Sequence, residues 1–179
     1  MPKLIDTNVL IAGSAANPLS GHAGTASPLE PELREIVLSS LTAFADSGDH
    51  IVLDLEGQIR SEYEANLGYC PALRDQDYGL LLLQELEQTQ RINFVTIGWD
   101  ATEGAASLPQ ELTVIVTDRA DRKWVAAALA HSQLYENVFP PIVYAAESDW
   151  FIIEHQLAAE GFLFERLLPE AWYQKRHQS

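Results

Sequence analysis

The chain has 179 residues, 47% hydrophobic and 21% charged, enough apolar material for one domain with a full core. No run reaches the roughly 18 apolar residues a membrane span needs, no signal peptide is visible at the amino terminus, and the one cysteine, Cys70, excludes an internal disulfide and a cysteine-built metal site. A cytoplasmic protein is the expectation, and a net charge of −15 disfavours a high-affinity DNA binder, although a bound divalent cation supplies positive charge locally.

In chain order, Leu4–Ile5 reads as the end of a first, central strand, broken by Asp6. A carboxylate is poorly tolerated inside a buried strand but suits the carboxyl end of a parallel one, where open α/β sheets keep their sites. Thr7 and Asn8 then turn the chain into a helix, and Asp6 is equally a candidate N-cap for Asn8–Ala12. Ala15–Pro31 is rich in Gly, Ala, Ser and Pro and reads as a long, mobile loop. Glu32–Asp46 has helical periodicity, His50–Asp54 is a short buried strand, and Leu55–Leu67 is a helix stopped by Gly68.

Asp75–Gln90 is the clearest amphipathic helix, and Ile92–Ile97 alternates like a strand. Gly98–Glu111 reads as a loop, Leu112–Thr117 as a strand or a feeder to the next helix, and Asp118–Leu134 as that helix. Pro141–Ala146 is a strand, Ser148–Glu160 a helix capped by Ser148, and Phe162–Leu168 a last strand placed at an edge by Glu165 and Arg166. The polar tail Tyr173–Ser179 is expected to fray. Strands alternating with helices predict an α/β fold, a three-layer α/β/α sandwich over residues 1–179 with a central parallel sheet of about five strands.

Four acids lie after a strand or within a turn of a helix start: Asp6, Glu62 in R-S-E-Y-E-A-N-L, Asp121 in T-D-R-A-D-R-K-W, and Asp149 in E-S-D-W, with Glu147 two residues earlier. Mg²⁺ and Mn²⁺ prefer such carboxylate oxygens, activate a bound water and neutralise a phosphodiester in transit. Each acid has a plainer alternative: Glu62 pairs with Arg60 or is solvated, Asp149 supports a helix dipole, and Glu147 is ligand or loop. Asp118 is assigned to capping and Asp121 to the site, with the reverse assignment open. Arg119, Arg122 and Lys123 are candidates to steer a nucleic-acid backbone. Trp124 and Trp150 read as core residues, with base stacking by one of them as the alternative.

With these residues in view, the chain resembles a PIN domain. The resemblance rests on L-I-D-T-N-V-L, on I-V-L-D-L-E-G-Q-I-R-S-E-Y-E-A-N-L, on D-R-A-D-R-K-W-V-A-A-A-L-A and on I-V-Y-A-A-E-S-D-W-F, in that order along nearly the whole chain. It implies a central parallel sheet between helices and a metal-dependent endoribonuclease, with Asp6, Glu62 and Asp121 holding the ion and Asp149 as the fourth acid. Many bacterial members are the toxin half of a toxin–antitoxin pair, so an antitoxin, an RNA substrate and a second copy of the chain are the candidate partners. The family's T-x-D-x-D-F is A-A-E-S-D-W here, with Ala145 in place of the hydroxyl and Glu147 in place of the first aspartate, so the fourth acid is Glu147 or Asp149.

Two other classes stand beside this one. An aspartate after the first strand also serves as a phosphoryl-transfer nucleophile, but that motif wants a second aspartate where Asn8 stands. A non-catalytic module that binds a partner chain would keep the fold and acids without metal chemistry.

Overall fold

Asp6 ends β1 (Leu4–Ile5) after two residues, and α1 (Thr7–Ser14) begins at once. The computed structural model describes residues 1–177. Helix α2 (Pro31–Asp46) leads to β2 (Ile51–Asp54) and α3 (Gln58–Asn66). A small hairpin, β3 (Tyr69–Cys70) and β4 (Asp75–Gln76), precedes α4 (Tyr78–Gln88) and β5 (Ile92–Val95). A second hairpin, β6 (Trp99–Asp100) and β7 (Ala105–Ala106), leads to α5 (Gln110–Ile115) and α6 (Arg122–Leu134). The chain closes with β8 (Ile142–Tyr144), α7 (Ser148–Ala159), β9 (Phe164–Arg166) and α8 (Glu170–His177).

The fold is mixed α/β. Strands β1, β8 and β9 form a parallel sheet in that order, with Leu4 opposite Ile142 and Ile142 opposite Phe164. Strands β2 and β5 form a separate parallel pair, with Ile51 opposite Ile92. Between them, Lys3 makes an isolated parallel bridge to Ile51, donating to the His50 carbonyl at 2.8 Å and accepting from Val52 N–H at 2.8 Å. The strands are near-continuous apolar runs because helices cover their faces. Leu4, Ile5, Val52, Leu53, Ile142 and Tyr144 are all buried, and α6 adds Trp124, Val125 and Ala128 to the same core. Strand β9 takes the predicted edge position, where Glu165 accepts from Lys3 Nζ at 2.6 Å.

Several expectations are corrected. Leu112–Thr117 is not a strand: most of it belongs to α5, which turns Leu112 into the core and leaves Val114 exposed. The apolar run satisfies either period over six residues, and the preceding Pro109, at the N-cap position, settles it as helix. The stretch read as a loop at Gly98–Glu111 contains the second hairpin. Helix α4 starts only at Tyr78, because Asp75–Gln76 pairs as a strand. The tail is helical through His177, and Tyr173 is fully buried, its hydroxyl donating to the Ala145 carbonyl; Gln178 and Ser179 lie outside the described residues.

The loop over residues 15–31 is tied down rather than free. It has little apolar side-chain material of its own, so Arg34 serves as its core. The guanidinium, 5% exposed, donates to the carbonyls of Pro28 at 2.6 Å, Ala26 at 2.6 Å, Ala23 at 2.7 Å and Ala15 at 3.3 Å. Buried carbonyls that no strand or helix satisfies thus find donors on one side chain.

Candidate metal centre

Asp6 sits at the carboxyl end of β1, where its own N–H donates to the Val143 carbonyl at 2.9 Å. Its side chain is buried. One oxygen, Oδ1, accepts from Asn8 N–H at 2.8 Å, and the other, Oδ2, accepts from the Trp150 indole Nε1–H at 3.2 Å. Asp6 therefore is the N-cap of α1 and also faces the other acids; the two readings describe one residue. Burial pushes its carboxyl up to about 7, the neighbouring Glu147 and Glu62 add to that, and the Asn8 and Trp150 hydrogen bonds oppose it.

The two residues after Asp6 connect the site across the chain. Thr7 donates its hydroxyl to Glu62 Oε1, and Asn8 donates its side-chain amide to Glu147 Oε2 at 2.8 Å. Helix α3 turns Glu62 inward because Ile59 and Tyr63, on neighbouring turns, are fully buried. The remaining oxygen of Glu62, Oε2, pairs with Lys123 Nζ, and Lys123 is itself only 5% exposed. Glu62 does not pair with Arg60, which reaches Glu64 and Glu87 instead.

Asp121 occupies the N-cap position of α6 but makes no capping bond with its side chain. Burial pushes its carboxyl up to about 8, with the carboxylates of Asp6, Asp118 and Glu147 adding to the rise and Lys123 opposing it. Glu147, rather than Ser148, is the N-cap of α7; its Oε1 accepts from Asp149 N–H at 3.4 Å, and burial raises its carboxyl too. Asp118, Asp121 and Asp149 each offer an oxygen within 4.8 Å of the other two. They line a cleft of about 170 Å³ whose apolar walls are Ile115, Ile152 and Ile153.

Of the acids expected at the site, Asp121 and Asp149 meet at ligand spacing, together with Asp118, and among the described residues Asp6, Glu62 and Glu147 belong to no such group. The Asp6–Thr7–Asn8 turn links Glu62 and Glu147 through hydrogen bonds, and Asp121 lies near enough for the charges of Asp6 and Glu147 to raise its carboxyl. Asp149 stands at the rim with Asp118 and reaches the group through Asp121. Asp118 both caps its local turn, accepting from Ala120 N–H at 2.8 Å, and belongs to the acidic triplet, so the exclusive assignment to capping is corrected. Its signal was in the sequence: T-D-R-A-D places two aspartates three apart before a helix.

The three residues of the basic cluster have different surroundings. Arg122 Nη1 donates to Glu103 Oε2 at 2.6 Å and Arg119 Nη1 to the Glu103 carbonyl at 3.4 Å, so both brace the second hairpin. Lys123 is buried in the site. Trp124 and Trp150 are buried, so neither offers a face to a base, and Trp150 instead positions Asp6.

Three of these carboxylates lie close enough together to hold a metal ion. Asp118, Asp121 and Asp149 bring oxygens from the start of α6 and from α7 to ligand spacing, and burial, helped by neighbouring carboxylates, raises the carboxyls of Asp6 and Asp121. Among the described residues no helix is long and apolar enough to cross a membrane. No family model, curated protein or solved structure matches the chain.

Proposed function

We propose that the protein is a divalent-metal-dependent endoribonuclease of PIN type, in which Asp6, Glu62, Asp121 and Glu147, with Asp118 and Asp149 at the rim, form the site for Mg²⁺ or Mn²⁺. The observation that carries this reading is the Asp6–Thr7–Asn8 turn. It links Glu62, 55 residues away from Thr7, and Glu147, 139 residues away from Asn8, at the mouth of one strand. On this reading the β2–β5 pair and the three-stranded sheet are one five-stranded parallel sheet in the order β5-β2-β1-β8-β9 between helix layers, which the Lys3–Ile51 bridge supports.

When bound, the cation supplies a polarised water and neutralises charge on the phosphodiester. The chain's own residues do the positioning. Trp150 and the Asn8 backbone hold both oxygens of Asp6, Thr7 holds Glu62, and the Asn8 side chain holds Glu147. The apolar side chains of Ile115, Ile152 and Ile153 border the Asp118, Asp121 and Asp149 carboxylates in the same cleft. With a net charge of −15, attraction of an RNA strand falls to the cation rather than to a basic surface. An antitoxin partner follows from the same family pattern, and a homodimer and a cytoplasmic location belong to the proposal with it.

An aspartate-nucleophile phosphatase is disfavoured, because Asn8 spends its side chain on Glu147 where a second acid would be needed. The test is cleavage of RNA with and without Mn²⁺ by wild type and Asp6→Asn. Metal-dependent cleavage abolished by the substitution is expected; equal rates in all conditions refute the reading.

A further inference from the structure

We infer that Lys123 is a built-in second cation, so that the acidic site takes a single divalent ion per chain. The inference rests on the nuclease reading above and specifies its metal count. Lys123 stands two residues after Asp121 at the start of α6, and its ammonium is buried between Glu62 Oε2 and the Ala120 carbonyl. The Trp124 ring, 5.6 Å from the ammonium, closes another side of it. A lysine this buried is held only by partners that compensate its lost hydration.

The position of this charge decides the electrostatics. Six carboxylates, Asp6, Glu62, Asp118, Asp121, Glu147 and Asp149, are gathered in one region. The basic residues flanking Lys123 turn toward the second hairpin, where Arg122 pairs with the Glu103 carboxylate and Arg119 donates to the Glu103 carbonyl. Glu62 has both oxygens occupied, one by Thr7 and one by Lys123. It therefore enters the site holding a fixed cation of its own, whereas Asp6 and Glu147 take their hydrogen bonds from neutral donors, the Asn8 backbone and Trp150 indole for Asp6 and the Asn8 amide and Asp149 N–H for Glu147. Two-metal sites set their ions about 3.5–4 Å apart to clamp both reacting oxygens. A lysine held against one of the acids supplies the second positive charge as a point charge without needing a second ion.

The experiment counts ions on the full-length chain stripped with chelator and titrated with Mn²⁺, read by calorimetry and by electron paramagnetic resonance of free Mn²⁺. Wild type is expected to bind one ion per chain. Lys123→Met removes the charge at similar length and is expected to bind two, and Lys123→Arg keeps the charge and is expected to bind one. Lys123→Gln, neutral but still able to donate to Glu62, gives the same two-ion result if the methionine variant does not fold. Two ions on wild type, or one ion on wild type and on the neutral variants alike, overturn the inference and leave the nuclease reading standing. No ion on wild type overturns both.

Discussion

Replacing Asp6 with asparagine tests the electrostatics of the centre without needing a substrate. In the metal-free protein an ionised Asp6 is a burden. Its carboxyl is raised from 3.8 to about 7 by burial and by Glu147 and Glu62. The folded state therefore holds a proton that the unfolded state has already released, and stability falls as pH rises through this window. The penalty is absent below about pH 4, grows up to about pH 7 and is constant above. At one pKa unit per 1.36 kcal/mol, it amounts to about 4 kcal/mol at pH 8 and about 1.5 kcal/mol at pH 5. Asparagine carries no charge to bury, and its carbonyl still accepts from Asn8 N–H. Its amide then faces the Trp150 indole N–H donor to donor, which costs about 2 kcal/mol. Denaturant unfolding of the chelator-stripped protein is therefore expected to show Asp6→Asn more stable than wild type by about 2 kcal/mol at pH 8 and equal to it near pH 5. A difference that does not change with pH would refute the reasoning, because it would mean that Asp6 is not the strained carboxylate.

Three further outcomes follow from the same contacts. On the proposed metal site, Mn²⁺ displaces protons from Asp6 and Asp121, whose carboxyls are pushed up to about 7 and about 8. Apparent affinity should accordingly rise steeply between about pH 6 and pH 8 and flatten beyond, as read by calorimetry; a flat profile across that range contradicts the site. Trp150→Phe removes the indole donor that opposes the rise of Asp6. Mn²⁺ affinity should drop about tenfold, measured by the same titration, while the fold persists. Arg34→Met strips the donors from four loop carbonyls, so unfolding free energy should fall by about 3 kcal/mol and limited proteolysis should cut within residues 15–31. An uncut, equally stable variant would show that the loop holds itself.

The sequence by itself determined the parts that local chemistry can dictate. An apolar run broken by D-T-N reads as a strand that ends at a carboxylate and turns into a helix, and that is how Leu4–Ser14 folds. Charged Glu165 and Arg166 mark an edge strand wherever the sheet lies, and β9 is one. Tertiary structure alone decided the rest, since those features depend on neighbours remote in sequence. A six-residue apolar stretch such as Leu112–Thr117 carries too few periods to choose between helix and strand. A polar tail looks frayed until Tyr173 finds the Ala145 carbonyl and a buried slot. Lys123 reads as one more surface base in a basic cluster, and only the meeting of α3 and α6 buries it against Glu62. The same holds for Trp150 on Asp6, a bond across 144 residues: sequence order shows which residue types the site has to work with, and only the packing of sheet against helix decides which of them touch.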